Sequence, residues 1–328
     1  MQALQISELG GPDALEVVDL PEPGSRHPMT GEEGVVIDVR AVAVSFPDLL
    51  QTRGLYQMKP ELPFVPGTEV AGEVVSAPAS TGLSPGERVM AMTMVGGMAE
   101  RSVGLAALTF PLPEPLDFAQ GAAMIMNYHT AYFALKLRGR VREGERVLVH
   151  GAAGGVGTAA LQVAKGLGAR TVAVVSSDDK ERVAREAGAD DVVRSDGPWK
   201  DEVKELTGGG VDVVIDPVGG DRFLDSLRSL REDGRLVVVG FAGGAIPEVK
   251  VNRLLLNNVD VVGAGWGAYV LRRPEVGAQI GDALAAMVAD GIVRPIVGAR
   301  FPLRRAADAL RLLDERGALG KIVLDVPV

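Results

Sequence analysis

The sequence predicts an α/β fold in which a doubly wound, parallel, six-stranded sheet domain is joined to a mostly β domain. Three observations indicate this fold. Short β-branched runs alternate with segments of helical period after residue 147. A glycine cluster lies between the first run and the first helical segment, and the first 122 residues are rich in proline and glycine.

The six apolar runs are short and continuous, which is typical of parallel strands that are buried on both faces of a sheet. They lie at residues 147–149, 171–175, 192–193, 211–215, 236–239 and 259–262. Segments of helical period separate most of them, as at 179–187, 199–206 and 221–230. Together they predict one domain that covers residues 123–266.

The glycine cluster, Gly151-Ala-Ala-Gly-Gly-Val-Gly157, directly follows the first run. A strand, a tight turn and a helix in this order suit a dinucleotide pyrophosphate, because glycines let the backbone approach the phosphates and the helix N-terminus offers free N–H groups. An ordinary glycine-rich turn is the alternative, and the flanking strand and helix favour nucleotide binding. The predicted contacts are Ala153, Gly154, Gly155, Val156 and Gly157.

The first part of the chain alternates apolar and polar residues at 34–42, 69–76 and 87–92, which indicates an antiparallel β domain with many turns. Two helical stretches and a strand-like segment at 321–324 follow residue 267. A segment of about 60 residues is marginal as a domain of its own. We therefore expect residues 267–328 to join residues 1–122 in one domain.

The amino-acid composition restricts the possible chemistry. The chain has 328 residues, of which 47% are hydrophobic, with a net charge of −9, no cysteine and three histidines. The missing cysteines exclude disulfides, thiol catalysis and cysteine-based zinc sites. The negative charge disfavours nucleic acid and anionic membranes as partners. Since the chain has no apolar run of about 18 residues and no secretory signal at its start, we expect a cytoplasmic protein.

Nine short motifs occur in a fixed order along nearly the whole chain. They are Val44-Ser-Phe-Pro-Asp-Leu49, Gly54-Leu-Tyr56, Pro66-Gly-Thr-Glu-Val-Ala-Gly-Glu-Val74, Gly86-Glu-Arg-Val89, Gly96-Gly-Met-Ala-Glu100, Asn127-Tyr-His-Thr-Ala131, Ala152-Ala-Gly-Gly-Val-Gly157, Asp216-Pro-Val-Gly219 and Gly320-Lys-Ile-Val-Leu324. The set resembles the zinc-free medium-chain dehydrogenases/reductases of the NADPH:quinone oxidoreductase (zeta-crystallin-like) family. This resemblance implies a Rossmann-type domain at 123–266 and a GroES-like catalytic domain at 1–122 and 267–328.

One departure from the zinc-dependent relatives concerns the metal site. Those relatives carry Gly-His-Glu where this chain has Gly67-Thr68-Glu69, and their cysteine ligand is absent here. Without a Lewis acid, oxidation of an alcohol in the zinc manner is not available. The resemblance therefore implies hydride transfer to an acceptor that is already electron-poor, a quinone or a conjugated enone.

The end of the second predicted nucleotide strand bears on the choice of cofactor. An NAD-binding fold usually has a carboxylate there, which binds the ribose 2′-hydroxyl. This chain instead has Ser176 and Ser177, with Lys180 four residues on and Arg194 after the third strand. The two aspartates that follow Ser177 leave ribose binding open, and Lys180 could be an ordinary solvated helix residue. We expect NADPH, with these four residues around its 2′-phosphate.

Tyr56 is the candidate catalytic residue. The resemblance places it where related enoyl reductases have a proton donor and where quinone reductases line the quinone site. The alternative is a surface loop aromatic. Ser45 stands where many relatives carry asparagine beside the reacting centre, and it is a second candidate for lining the substrate.

The resemblance implies further contacts around the nicotinamide half of the cofactor. These are Asn127, Thr130, Val218, Gly240, Phe241, Ala242, Trp266 and Lys321. Thr130 could instead cap its own helix, and Trp266 could equally be a packing residue. His129 and His150 are expected to be buried and receive no catalytic role.

The sequence thus predicts an NADPH-dependent quinone oxidoreductase without metal. A reductase of enones or enoyl thioesters with the same fold is the first alternative, and a crystallin-like protein that binds NADPH without turnover is the second. The run at 259–262 would lie at a sheet edge, and an exposed apolar edge needs a cover. We therefore expect a homodimer.

Overall fold

The computed structural model describes residues 1–327, which divide into two compact units. The first unit contains Met1–Met126, Pro274–Gly281 and the chain from Pro295 onward, and the second contains Asn127–Arg273 and Asp282–Arg294. The sequence-based limits, 123 and 266, lie close to two of these boundaries. The assignments differ at residues 123–126, which belong to the first unit, and at residues 267–273 and 282–294, which belong to the second.

The strands are, in chain order, β1 (Gln2–Ile6), β2 (Leu15–Asp19), β3 (Val35–Val44), β4 (Glu69–Ser76), β5 (Arg88–Met92), β6 (Arg101–Gly104), β7 (Thr109–Pro111), β8 (Arg146–His150), β9 (Arg170–Val175), β10 (Asp191–Arg194), β11 (Val211–Asp216), β12 (Leu230–Val238), β13 (Asp260–Gly263), β14 (Val297–Pro302) and β15 (Lys321–Asp325).

The α-helices are α1 (Phe46–Thr52), α2 (Phe118–Ala122), α3 (Thr130–Tyr132), α4 (Gly155–Gly166), α5 (Asp178–Glu186), α6 (Trp199–Thr207), α7 (Phe223–Arg228), α8 (Asn252–Asn257), α9 (Trp266–Val270), α10 (Pro274–Ala289) and α11 (Ala306–Asp314). Two π-helical segments, Ile125–His129 and Phe133–Arg138, adjoin α3. Short 3-10 helices lie at Gly11–Ala14, Ala79–Thr81, Ala106–Leu108, Gly220–Arg222 and Leu303–Arg305.

The second unit contains a six-stranded sheet in the order β10-β9-β8-β11-β12-β13. All five neighbouring pairs are parallel, and Leu148 of the central strand pairs with Val172 on one side and Val214 on the other. These three residues are at most 2% exposed, because helices cover both faces of such a sheet. The predicted doubly wound parallel sheet is confirmed.

The direction of the strand order reverses between β8 and β11, because β9 and β10 lie on one side of β8 whereas β11, β12 and β13 lie on the other. In an open α/β sheet, ligands bind beyond the carboxyl ends of the strands at this switch point. The glycine segment that follows β8 is therefore placed where a ligand is expected.

The first unit contains a sheet in the order β14-β15-β3-β4-β5-β7, with β6 also paired to β3. Only β14 and β15 run parallel, so the sheet is mixed, and β1 and β2 form a separate antiparallel pair. Strand β15, near the end of the chain, lies antiparallel to β3, with Val323 opposite Ala43. This pairing brings the end of β3 together with the starts of β15 and β4, which positions the polar cluster described below.

Among residues 1–327, no helix combines the length and the apolar character needed to cross a bilayer.

Candidate active site

The glycine turn after β8 forms the predicted tight connection to α4. Gly151 has a φ of 57°, a conformation that favours glycine, and α4 begins at Gly155 with Gly154 as its N-cap. A Cβ atom on Gly157 would lie 2.1 Å from the carbonyl oxygen of Gly151. Only glycine at position 157 therefore permits the helix to lie this close to the turn. The first N–H groups of α4, which have no partner within the helix, consequently lie at the carboxyl end of β8.

Gly155 leaves space for the side chain of Asn127, which belongs to the same unit. A Cβ atom there would lie 2.3 Å from Nδ2 of Asn127, which is 7% exposed and lies in the π-helical turn before α3. Thr130, at the start of α3, is half-buried. The structure thus seats Asn127 against the glycine turn, and the contacts of both residues with a cofactor stay predictions.

The predicted 2′-phosphate residues lie together where β9 ends. Lys180 Nζ donates to Ser176 Oγ at 3.2 Å, and Arg194 Nη2 donates to the carbonyl oxygen of Ser176 at 3.2 Å. Ser177 caps α5 by accepting from the N–H of Lys180 at 3.4 Å. The Asp178 carboxylate turns to Arg194, with 2.5 Å between Oδ1 and Nη1. The Asp178 carboxylate is thus paired with Arg194, one of the four residues predicted around the 2′-phosphate.

The loop after β11 is held by the side chain of Asp216 and is joined to the loop after β12 by a backbone hydrogen bond. The N–H groups of Val218 and Gly219 both donate to Oδ1 of Asp216 at 2.9 Å. Ala242 N–H donates to the carbonyl oxygen of Pro217 at 3.0 Å, in the segment that also contains Gly240 and Phe241. The structure therefore brings these predicted residues to one loop cluster at the carboxyl end of the sheet.

Trp266 and two histidines are buried in the second unit. Trp266 is 2% exposed, and its ring packs edge-on against His129 with centroids 5.4 Å apart. Burial lowers the pKa of His129 to about 3. His150 Nε2 lies 2.8 Å from Ser226 Oγ, and burial also lowers the pKa of His150. The rings of His129 and His150 are therefore both neutral at pH 7. The buried position of Trp266 suits a packing role.

A buried polar cluster in the first unit joins α1, β4 and β15. Lys321 Nζ lies 2.6 Å from Glu69 Oε1 and donates to Ser45 Oγ at 2.6 Å. Ser45 Oγ in turn donates to Glu69 Oε1 at 2.9 Å. Each of the three residues is at most 5% exposed. Lys321 and the hydroxyl of Ser45, predicted to contact cofactor and substrate, are thus engaged with each other and with Glu69.

Glu69 has both carboxylate oxygens occupied, since Oε2 accepts from the backbone N–H of Met126 at 2.7 Å. Sequence reasoning singled out Ser45 and Lys321 but missed Glu69 as their common partner. The signal was available in part, because Glu69 directly follows Thr68, which replaces the histidine of the zinc relatives. What the sequence lacked was the pairing of β15 with β3.

Asp48 lies beside this cluster and was also missed, although it follows Ser45 at the spacing of a capping box. Its Oδ2 accepts from the N–H of Ser45 at 2.7 Å and from Thr68 Oγ1 at 3.4 Å. Burial raises the pKa of Asp48 to about 7, with hydrogen bonding and the Lys321 charge opposing the shift.

Tyr56 follows α1 in a bend and is half-buried. Burial raises the pKa of its phenol, and the nearby Asp48 carboxylate raises it further. The phenol therefore keeps its proton at neutral pH, which is the form that a hydrogen-bond or proton donor needs. Its role as donor stays a prediction.

Within residues 1–327, no three His, Cys, Asp or Glu side chains form a group suited to a metal ion. Thr68, at the position of the zinc relatives' histidine, is 2% exposed and bonded to Asp48.

Comparison with known proteins shows the family. Residues 31–114 match the alcohol dehydrogenase GroES-like domain, and residues 155–280 match the zinc-binding dehydrogenase family. Quinone oxidoreductase-like protein 2 of Rattus norvegicus is 39% identical over 90% of this chain and 86% of its own length.

Two solved structures are similar over nearly the full chain. A probable oxidoreductase from Mycobacterium abscessus is 44% identical with a TM-score of 0.88, covering 99% of this chain and 98% of that one. The quinone oxidoreductase from Thermus thermophilus, also solved with NADPH, is 36% identical with a TM-score of 0.85, covering 99% and 100%. The chain therefore belongs to the zinc-free quinone oxidoreductase family of the medium-chain dehydrogenases/reductases.

Proposed function

We propose that this protein is an NADPH-dependent oxidoreductase that transfers hydride to quinones without a metal ion. The observation that carries the proposal is the group of Ser176, Lys180 and Arg194 beyond the glycine turn of a parallel nucleotide-type sheet. The name and NADPH complex of the Thermus thermophilus relative support the same cofactor and acceptor class.

The glycine turn fits a dinucleotide. The 12-residue helix α4 begins at Gly155, and no side chain stands on Gly154, Gly155 or Gly157 to keep a pyrophosphate from the backbone. The positive end of the helix dipole and the free N–H groups favour an anion there. Bound NADPH supplies the hydride, and this chain supplies its orientation and the surroundings of the acceptor.

The proposed 2′-phosphate site distinguishes NADPH from NADH through charge. Lys180 Nζ has a neutral hydroxyl, that of Ser176, as its hydrogen-bond partner, whereas the Arg194 guanidinium is shared with the Asp178 carboxylate. A phosphate would therefore compete with an existing ion pair at Arg194 but not at Lys180. We assign the larger share of the NADPH preference to Lys180.

On the acceptor side, Tyr56 donates a hydrogen bond or a proton to the carbonyl oxygen as negative charge develops on it. The same chemistry serves a conjugated enone or an enoyl thioester, which is the alternative with the same fold. A crystallin-like protein that binds NADPH without turnover is the non-enzymatic alternative. The presence of Tyr56 together with the family-like loops favours an enzyme.

Steady-state oxidation of NADPH, followed with quinones, enones and enoyl thioesters in turn, tests the proposal. We expect the highest kcat/KM with a quinone and the same rate in the presence of a chelator. Enoyl thioesters as the best substrates would replace quinone reductase by the alternative activity. Tight NADPH binding without oxidation by any acceptor would favour the non-enzymatic protein.

We further propose a homodimer through the edge of the second unit. Strand β13 pairs with β12 on one side and with no other strand among residues 1–327. The preceding segment exposes Ile246, Val251, Leu255 and Leu256, each to between 71% and 75%. An apolar edge of this kind needs a cover, and a second copy would provide it by a two-fold contact.

The cytoplasmic location expected from the sequence stays a prediction.

A further inference from the structure

A small apolar cavity of about 200 Å³ lies in the first unit. Leu9, Met58, Leu62 and Phe64 contribute apolar side chains to its wall. Phe64 belongs to a small core with Ile6 and Val95, against which Met58 also packs. One side of the cavity is thus anchored in the core of the unit.

The cavity shares its wall with the segment that carries Tyr56. Gly54 and Met58 both line it, and they lie two residues before and two residues after Tyr56. Two residues of extended chain span at most about 7 Å, so the Tyr56 backbone lies within that distance of either wall residue. Gly54 has a φ of 65°, and a Cβ atom on it would lie 2.7 Å from Leu9 Cδ1. Leu9 therefore packs directly on the backbone of the Tyr56 segment.

The leucines of this region remain largely exposed. Leu9 and Leu62, which line the cavity, are 53% and 43% exposed, and Leu55, next to Gly54, is 68% exposed. A contiguous exposed apolar patch marks an interaction site, and a ligand-binding groove is one such site. Covering them with an apolar group would remove this area from water.

The size and lining of the cavity define what it can hold. Pockets for whole ligands measure about 300–1,000 Å³, so a cavity of about 200 Å³ suits a substituent of a larger molecule. Its polar wall residues are Gln51, whose amide donates to the carbonyl oxygen of Met94 at 3.3 Å, and Lys59, which is exposed. An apolar substituent suits such a lining better than a charged one.

We propose that this cavity binds the apolar side chain of the acceptor while the reacting carbonyl is near Tyr56. The substrate class is therefore a quinone with an aliphatic substituent on its ring. This inference rests on the proposed quinone reductase function and adds to it a subsite, with Leu9 as a specificity residue.

A series of 1,4-benzoquinones with straight 2-alkyl chains of zero to eight carbons tests the subsite. We expect kcat/KM to rise by about fourfold for each of the first few methylenes, as each leaves water. The rise should end once the cavity is filled. The rise in kcat/KM should come from a lower KM at a nearly constant kcat, because the alkyl chain of the quinone is bound equally in the ground and transition states.

Leu9→Ser provides the local test, and Leu206→Ser is its matched control. Both leucines are about half exposed, at 53% and 50%, and Leu206 lies in α6 of the second unit. Leu9→Ser should lower the ratio of kcat/KM for the five-carbon over the unsubstituted quinone by at least about threefold, and Leu206→Ser should not change it. Because both side chains are exposed, neither change should prevent folding, which circular dichroism checks.

The outcomes separate the two proposals. Quinones reduced with kcat/KM independent of chain length would overturn the subsite and leave the quinone reductase function in place. A chain-length dependence that is equal in wild type and Leu9→Ser would place the substituent elsewhere and also overturn it. If no quinone in the series is reduced, the proposed function fails and the subsite fails with it.

Discussion

At the scale of single residues, Lys180 is expected to decide the cofactor preference. A charge-assisted hydrogen bond to the 2′-phosphate contributes about 1.5–3 kcal/mol. Lys180→Ala should therefore raise the KM for NADPH by about tenfold or more and leave the KM for NADH nearly unchanged. Arg182→Ala, which removes an exposed cation paired with Asp179 on the same helix, is the control. Equal losses for both cofactors would refute the assignment.

Tyr56→Phe tests the proposed donor. General acid assistance is worth about 10²–10⁴-fold, and a readily reduced quinone gains less from it than an enone does. The variant should therefore reduce enones at least about tenfold more slowly and quinones with a smaller loss, with NADPH binding unchanged. Stopped-flow rates with and without chelator measure this. Full rates on every acceptor would exclude Tyr56 as donor.

Asp48 should give the stability of the protein a distinctive pH dependence. Its pKa is raised from 3.8 to about 7 in the folded protein. Between these values the folded chain holds a proton that the unfolded chain has lost, so this carboxyl makes stability fall as the pH rises from about 4 to 7. Asp48→Asn, which has no charge to bury, should lose less stability than wild type over this range.

Thermal midpoints measured at pH 5, 6, 7 and 8 check this expectation. Asp221→Asn, which changes an exposed carboxyl, should follow the wild type. Parallel curves for wild type and Asp48→Asn would show that Asp48 does not titrate in this range.

At the scale of elements, the Lys321–Glu69 pair joins the first residue of β15 to the first residue of β4. The side chains are 5% and 0% exposed, so removal of one leaves an uncompensated buried charge. Lys321→Met should lower the free energy of unfolding by about 3–5 kcal/mol, and the double variant with Glu69→Gln should lose less. Urea denaturation measures both.

The Arg300–Asp325 pair between β14 and β15 is the matched control, since both side chains are about half exposed. Arg300→Met should cost at most about 1 kcal/mol, because water screens the pair. A loss for Lys321→Met no larger than this would mean that the buried pair does not hold the strands.

The second unit was predictable from sequence because its signals are local. The continuous strands, the turn at Gly151 and the position of Lys180 four residues after Ser176 all depend on neighbours in the chain. The first unit's cluster was not predictable in this way. Ser45 and Lys321 are 276 positions apart, and only the register of β15 against β3 brings them together.

The position of Trp266 shows the same limit. A tryptophan after the sixth strand is compatible with a cofactor contact or with packing, and sequence alone does not choose. The structure buries it against His129, a contact between residues 137 positions apart. Burial depends on the tertiary packing of α9, which no local pattern records.

At the scale of the whole molecule, the apolar segment before β13 should control assembly. We expect light scattering at micromolar concentration to give twice the chain mass of 34.3 kDa. Leu255→Lys places a charge on a side chain that is 75% exposed, and it should give the mass of one chain. Leu224→Lys, at a 40% exposed leucine outside this segment, is the control. A monomeric wild type would count against the dimer.

The pairing of β15 with β3 also bears on the order in which the chain folds. During synthesis, residues 127–273 emerge before residues 321–325, although β15 completes a sheet begun by β3 at residues 35–44. Until Lys321 arrives, Glu69 has no buried cation to pair with. The second unit, whose sheet strands are all contained in residues 146–263, can therefore fold on the ribosome while the first waits for its last strand. Pairing β3 with β15 closes a far longer loop than any strand pairing within residues 146–263. Refolding of the intact chain should therefore show two phases, with the first unit forming in the slower one.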